Sequence, residues 1–172
     1  MMDIKDLISR LNDTTDDILQ IAKTCSVEQL SFKEGESWSI SEILEHLLIT
    51  DRVVYEILSR PSSNMNPSAE IIGNEKMKKL MVDQRTQRRV VSPETFKPKG
   101  EMTDLNTFEK TFLVQRERLK NDLTTGKIVV DNRINRHPFL NEMTITDWLN
   151  FTVHHSQRHV DQIKDILQNI NT

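Results

Sequence analysis

Four stretches of the chain carry apolar residues at spacings of three and four, the period of an amphipathic helix. The first spans residues 3–25, with Ile4, Leu7, Ile8, Leu11, Ile18, Ile21 and Ala22 on its stripe. The second carries Ile40, Ile43, Leu44, Leu47, Val54 and Leu58. It opens on Ser39 with Glu42 three residues on, a capping-box signature, and Pro61 stops it after Arg60. The third starts from Asp104, with Leu105, Phe108, Phe112, Leu119 and Leu123 along one side and Gly126 near its end. The last starts at Thr144, boxed with Asp147 in the same way, and its stripe runs Ile145, Trp148, Leu149, Thr152, Ile163, Ile166 and Ile170. A helix with one apolar stripe buries it against a neighbour, so the pattern predicts an all-α four-helix bundle. Only 4 Gly and 5 Pro among 172 residues agree, because a loop-rich β sandwich or barrel needs more turn residues. The length predicts one domain over residues 1–172 with room for a sizeable core.

Residues 61–102, between the second and third helices, break the pattern. "PSSNMNPSAE" is rich in turn formers, "EIIGNEKMKKLMVDQ" has room for a short helix, and "RTQRRVVSPETFKPKGEM" reads as irregular. So long a connection is unusual in a compact domain and is often functional. Residues 75–100 hold eight basic and three acidic side chains, a net +5 in a chain whose net charge is −3. Charge runs usually face water, so the plainer expectation is a solvated connector. The sharper one is a basic flap over a pocket for an anionic small molecule. A second connection, "KIVVDNRINRHPFLNEM", precedes the last helix, with residues 128–130 as its extended stretch.

A net charge of −3 gives no general pull towards nucleic acid or an anionic membrane, so the expected partner is a small-molecule substrate. No apolar run is long enough to cross a bilayer, and the acidic, amphipathic start "MMDIKDLISRLNDTTDD" is unlike a signal peptide. Cys25 is the only cysteine, so no internal disulfide can form, which fits a cytoplasmic protein. With no base beside it in sequence, Cys25 is given no catalytic role. Bundles often pair through helix faces, so a homodimer is an expectation of the class and of no particular residue.

Three of the five histidines fall in "HHSQRH", residues 154–159. His155 and His159 lie four apart in the gap of the last helix's apolar stripe, one above the other on the face turned into the bundle. His154 is rotated away, towards the side or surface. Two neutral imidazoles in a core need hydrogen-bond partners, and a charged pair would repel. One metal ion answers both demands by accepting a lone pair from each ring. His46, beside Leu47 and one turn after Ile43, is the candidate third ligand from another helix; His137, in a loop before Pro138, is less well placed. The spacing alone fits a satisfied core pair equally well.

"WSISEILEHL" and "HPFLNEMTITDWLNFTVHHSQRHVDQI" resemble the two signatures of the DinB-like superfamily. In the first, a tryptophan-serine cap opens a helix that presents a histidine. The second reads His-Pro-aromatic, a glycine turn, Leu-Thr, an acidic residue, Trp-Leu, then His-x-x-x-His-x-x-Gln-Ile. The resemblance implies a four-helix bundle with a divalent metal on three histidines, which by position are His46, His155 and His159. Asn141 stands where the turn glycine is usual and tolerates a left-handed backbone, while Met143 replaces a leucine.

Three imidazoles leave coordination positions open, as in a catalytic site. Imidazole suits Zn, Ni, Cu and Fe alike, and the expected occupant is a divalent Zn, Ni, Fe or Mn ion. Such a site can lower the pKa of a bound water towards about 7, or hold a thiol as thiolate. Relatives in the resembled family attach low-molecular-weight thiols such as bacillithiol to electrophiles. The leading expectation is therefore a metal-dependent thiol S-transferase, with Arg85, Arg88 and Arg89 holding the carboxylates of an anionic thiol cofactor. The alternatives are a metal-dependent hydrolase and a non-enzymatic metal-binding bundle of a stress response. Gln162, three residues after His159, is a candidate to orient a ligand ring. Glu42 is expected to serve its cap, and Trp38 and Trp148 to anchor packing.

Overall fold

The computed structural model describes residues 2–87, 92–102 and 104–170. Among these, α1 (Ile4–Thr24), α3 (Ile40–Ser59), α5 (Leu105–Thr124) and α6 (Ile145–Ile170) are long, and α2 (Val27–Ser31) and α4 (Asn74–Lys78) are short. α1 packs on α5 and α6, and α3 packs on the same two, so the four long helices form the expected bundle. The helix starts follow the sequence signals. Ser39 Oγ accepts from the Glu42 amide while Glu42 accepts from the Ser39 amide. Thr144 and Asp147 exchange the same pair of bonds at the head of α6. Each orphan N–H satisfied this way is worth about 1 kcal/mol.

Two apolar clusters fill the bundle. One gathers Leu7, Leu11, Val54, Leu58, Leu119 and Trp148; the other gathers Ile18, Ile43, Leu47, Phe108, Phe112 and Ile163. Each fully buried side chain contributes about 1.5–3 kcal/mol. Arg116 of α5 is 1% exposed and ties three helices. Its Nε meets Asp51 Oδ2 of α3 at 2.6 Å, and its Nη2 meets Ser156 Oγ of α6 at 2.6 Å. Neither this buried ion pair nor its position could be read from helical periodicity, which treats both residues as polar.

Two expectations for the connections are corrected. The extended stretch is not residues 128–130. An antiparallel hairpin forms instead from β1 (Ile134–His137) and β2 (Asn141–Thr144), with His137 opposite Asn141. Each strand supplies the other's partner, which a single-strand reading overlooks. Asn141 takes φ 62° at the turn, the left-handed conformation expected of it. The connection after α3 is also not a solvated tether. The Asp147 carboxylate accepts from the amides of Ile71, Ile72 and Gly73, and the Glu45 carboxylate from those of Lys99, Gly100 and Glu101. Two carboxylates on the bundle thus hold the connection at both ends. Between them run α4, a π-helical turn at Lys79–Asp83 and a 3-10 turn at Glu94–Phe96. No helix of the described residues is long and apolar enough to cross a membrane.

Candidate metal centre

α3 delivers His46 and α6 delivers His155 and His159 to one point. His46 Nε2 and His159 Nε2 each lie 3.1 Å from His155 Nε2, and the three ligand atoms all fall within 4.8 Å of one another. All three side chains are buried. The ring protons follow from the partners. His46 Nδ1 lies 2.7 Å from the Phe96 carbonyl oxygen, which only accepts, so the proton is on Nδ1 and Nε2 is bare. His159 Nδ1 donates to Gln162 Oε1 at 2.9 Å, which leaves its Nε2 bare as well. A neutral His155 can place at most one proton between these two lone pairs.

Protonation does not resolve the crowding. Burial holds the His46 pKa below its usual value, against a smaller opposing pull from the Phe96 carbonyl. Burial first, and the neighbouring rings second, push His155 and His159 well below theirs. The nitrogens therefore stay as lone-pair donors near neutral pH. Ligand nitrogens around a tetrahedral ion, with metal–nitrogen bonds of about 2.0–2.1 Å, lie about 3.3 Å apart. The buried donor set thus fits a divalent cation, and two of its rings are already oriented by acceptors on Nδ1 as ligating imidazoles are.

The triad opens into a cavity of about 610 Å³. Trp38, Phe96, Phe139, Trp148 and Phe151 give it aromatic walls, and Leu80, Met81, Arg85 and Thr86 of the long connection line it too. The connection is therefore part of the site. Trp38 lies 4.9 Å from His46 between ring centroids, and Phe151 stacks on His155 at 4.9 Å. The tryptophans expected only to anchor packing also face the cavity.

The other sequence candidates separate clearly. Gln162 binds a triad ring, as expected of it. Glu42 serves its cap and Lys33, and the His46 ring proton goes to Phe96. His154 is off the triad, but it is buried and not at the surface: its Nε2 meets Asn74 Oδ1 of α4 at 2.9 Å. The connection folds back over α6, which the helical wheel alone could not show. Arg85 lines the cavity, yet its Nη1 pairs with Asp165 at 2.7 Å. Arg88 and Arg89 lie outside the described residues. Cys25 caps α1, and burial raises its thiol pKa. Sequence reasoning missed Arg158, which lines the cavity one residue before His159. Its signal was present, as a basic residue three positions after His155 on the same helix.

The chain is 30% identical over 149 residues to the uncharacterized protein YuaE of Bacillus subtilis (strain 168), covering 86% of this chain and 89% of that one. No solved structure matches it. The family model described as the DinB superfamily matches residues 10–163, which spans all three histidines, and the chain belongs to that superfamily.

Proposed function

We propose that this chain is a divalent-metal-dependent enzyme that transfers a low-molecular-weight thiol, such as bacillithiol, to an electrophilic small molecule. The observation that carries the reading is the meeting of three buried Nε2 atoms at the edge of a cavity large enough for a small substrate. A divalent ion held there supplies the Lewis acidity that keeps a thiol ionised near neutral pH. The thiolate sulfur then forms a bond to the electrophilic carbon, the leaving group departs with its electron pair, and the thiol proton passes to solvent. The chain's own groups do the rest. Phe96 and Gln162 orient the rings, and the aromatic walls limit water. Among the described residues, the cavity lining includes one carboxylate, Glu36, and the ring partners of His46 and His159 are a backbone carbonyl and an amide oxygen. A three-histidine ion can activate water without a carboxylate base, so the ranking of thiol chemistry above hydrolysis rests on the resemblance to thiol-using relatives.

The test uses protein purified without a histidine tag. Elemental mass spectrometry is expected to find near-stoichiometric metal, lost in His46→Ala, His155→Ala and His159→Ala and kept in His154→Ala. Bacillithiol transfer to 1-chloro-2,4-dinitrobenzene is expected to fall at least about 100-fold in the first three variants. A wild type that stays metal-free after incubation with zinc, nickel and manganese would end this reading. Turnover of esters without thiol would replace it with the hydrolase. Bound metal that resists exchange, with no turnover, would replace it with a structural or sensory bundle.

A further inference from the structure

Arg158 is the one cation lining the cavity that has no acid partner among the described residues. Arg85 pairs with Asp165 at 2.7 Å and Lys97 pairs with Glu94 at 2.7 Å. Arg158 Nη1 and Nη2 instead reach the carbonyls of Met81 and Arg85, at 3.2 and 3.4 Å, which leaves N–H donors over. It is half-buried beside Arg85. A guanidinium keeps its proton regardless.

The local balance is one-sided. Three neutral imidazoles leave the full charge of a divalent ion uncompensated, and Arg158 adds another positive charge beside it. A partly buried cluster of that kind favours an anion that completes it. One thiolate would leave positive charge over, and a guanidinium is shaped for a carboxylate.

We propose that Arg158 is the binding residue for a carboxylate on the molecule taken at the triad, so that the ligand is a small organic anion held at both ends. Its metal-seeking atom would meet the ion that His46, His155 and His159 would hold, and its carboxylate meets the guanidinium. This rests on the triad holding a metal, but not on the metal-seeking atom being sulfur. It moves anion recognition from the basic connection to the metal-bearing helix.

The experiment is calorimetric titration of the zinc-loaded protein with 3-mercaptopropionate, 2-mercaptoethanol and butyrate. The wild type is expected to bind 3-mercaptopropionate at least about 10-fold more tightly than 2-mercaptoethanol, or about 1.4 kcal/mol. In Arg158→Met that ratio is expected to collapse to within about two-fold, mainly through weaker binding of 3-mercaptopropionate. Zinc content and circular dichroism check that the variant is intact. If it does not fold, Arg158→Gln carries the same test, since it keeps an N–H donor for a wall carbonyl and loses the charge and the fork that would hold a carboxylate. A role confined to strapping the connection through Met81 and Arg85 would weaken both thiols alike and leave the ratio standing, which overturns the proposal. Equal affinities in the wild type overturn it too, as does a wild type that binds none of the three. Arg158-dependent butyrate binding with neither thiol bound would remove the thiol-transfer reading and leave the carboxylate site in place.

Discussion

The Phe96 carbonyl oxygen accepts the Nδ1 proton of His46 at 2.7 Å, so the segment that walls the cavity is bonded to one of the rings at its floor. The residue before His46 grips the same segment: Glu45 takes the amides of Lys99, Gly100 and Glu101. Successive residues of α3 thus hold both the segment and the ring it orients.

Glu45→Ala removes a carboxylate that serves three amides. The loop can rehydrate, so the expected loss is about 2 kcal/mol and not the sum of three charged bonds. In a chain of this size that lowers Tm by about 6 °C. Freed from Glu45, Phe96 no longer fixes the His46 ring, and zinc affinity is expected to fall about 10-fold. A thermal melt and a competitive zinc titration check both. Unchanged affinity with a lowered Tm would mean that Phe96 keeps its place without Glu45.

The sequence made the helices legible because a buried stripe leaves a period, and a cap leaves a Ser or Thr with an acid three residues on. His155 and His159 were legible for the same reason, since they interrupt a stripe. What lay beyond reach depends on backbone atoms and on distant chain. The Phe96 carbonyl that orients His46 has no side-chain signature. The Asp147 clasp on Ile71, Ile72 and Gly73 joins residues more than seventy positions apart, so Asp147 read only as half of a cap. The ion pair that Arg85 makes with Asp165 joins two distant elements and left no trace in sequence spacing. His154 looked exposed because the element that covers it belongs to the long connection.

Metal-free protein is expected to lose stability below neutral pH. Burial lowers the pKa of all three triad histidines, and it lowers His137 and His154 to about 4 from the usual 6.5. The folded chain therefore binds fewer protons than the unfolded chain between those values. Stability contributed by the neutral rings is present above about pH 6.5 and is lost as pH falls from there through about 4. Denaturant melts of metal-free protein at half-unit steps from about pH 7.5 to 4 should show the decline beginning near 6.5. A flat profile down to about 4.5, where carboxylates take over, would show that the rings are not held neutral.

His137 lines the same cavity but is expected to behave unlike the triad. Its Nδ1 accepts from the amides of Phe139 and Leu140, both at 3.1 Å, which closes the hairpin turn. The neutral ring must then carry its proton on Nε2, so neither nitrogen has a lone pair to give a metal. The ring also packs against Trp148 and Phe151, at 5.2 and 5.0 Å between centroids. His137→Ala removes both the acceptor and the packing and is expected to cost about 2–3 kcal/mol. His137→Asn keeps an acceptor near the turn and should cost less. Both variants should retain the full complement of metal by elemental analysis, although both melt earlier. Loss of metal from a folded His137→Asn protein would instead make this ring a fourth ligand and would require its turn to open when the ion binds.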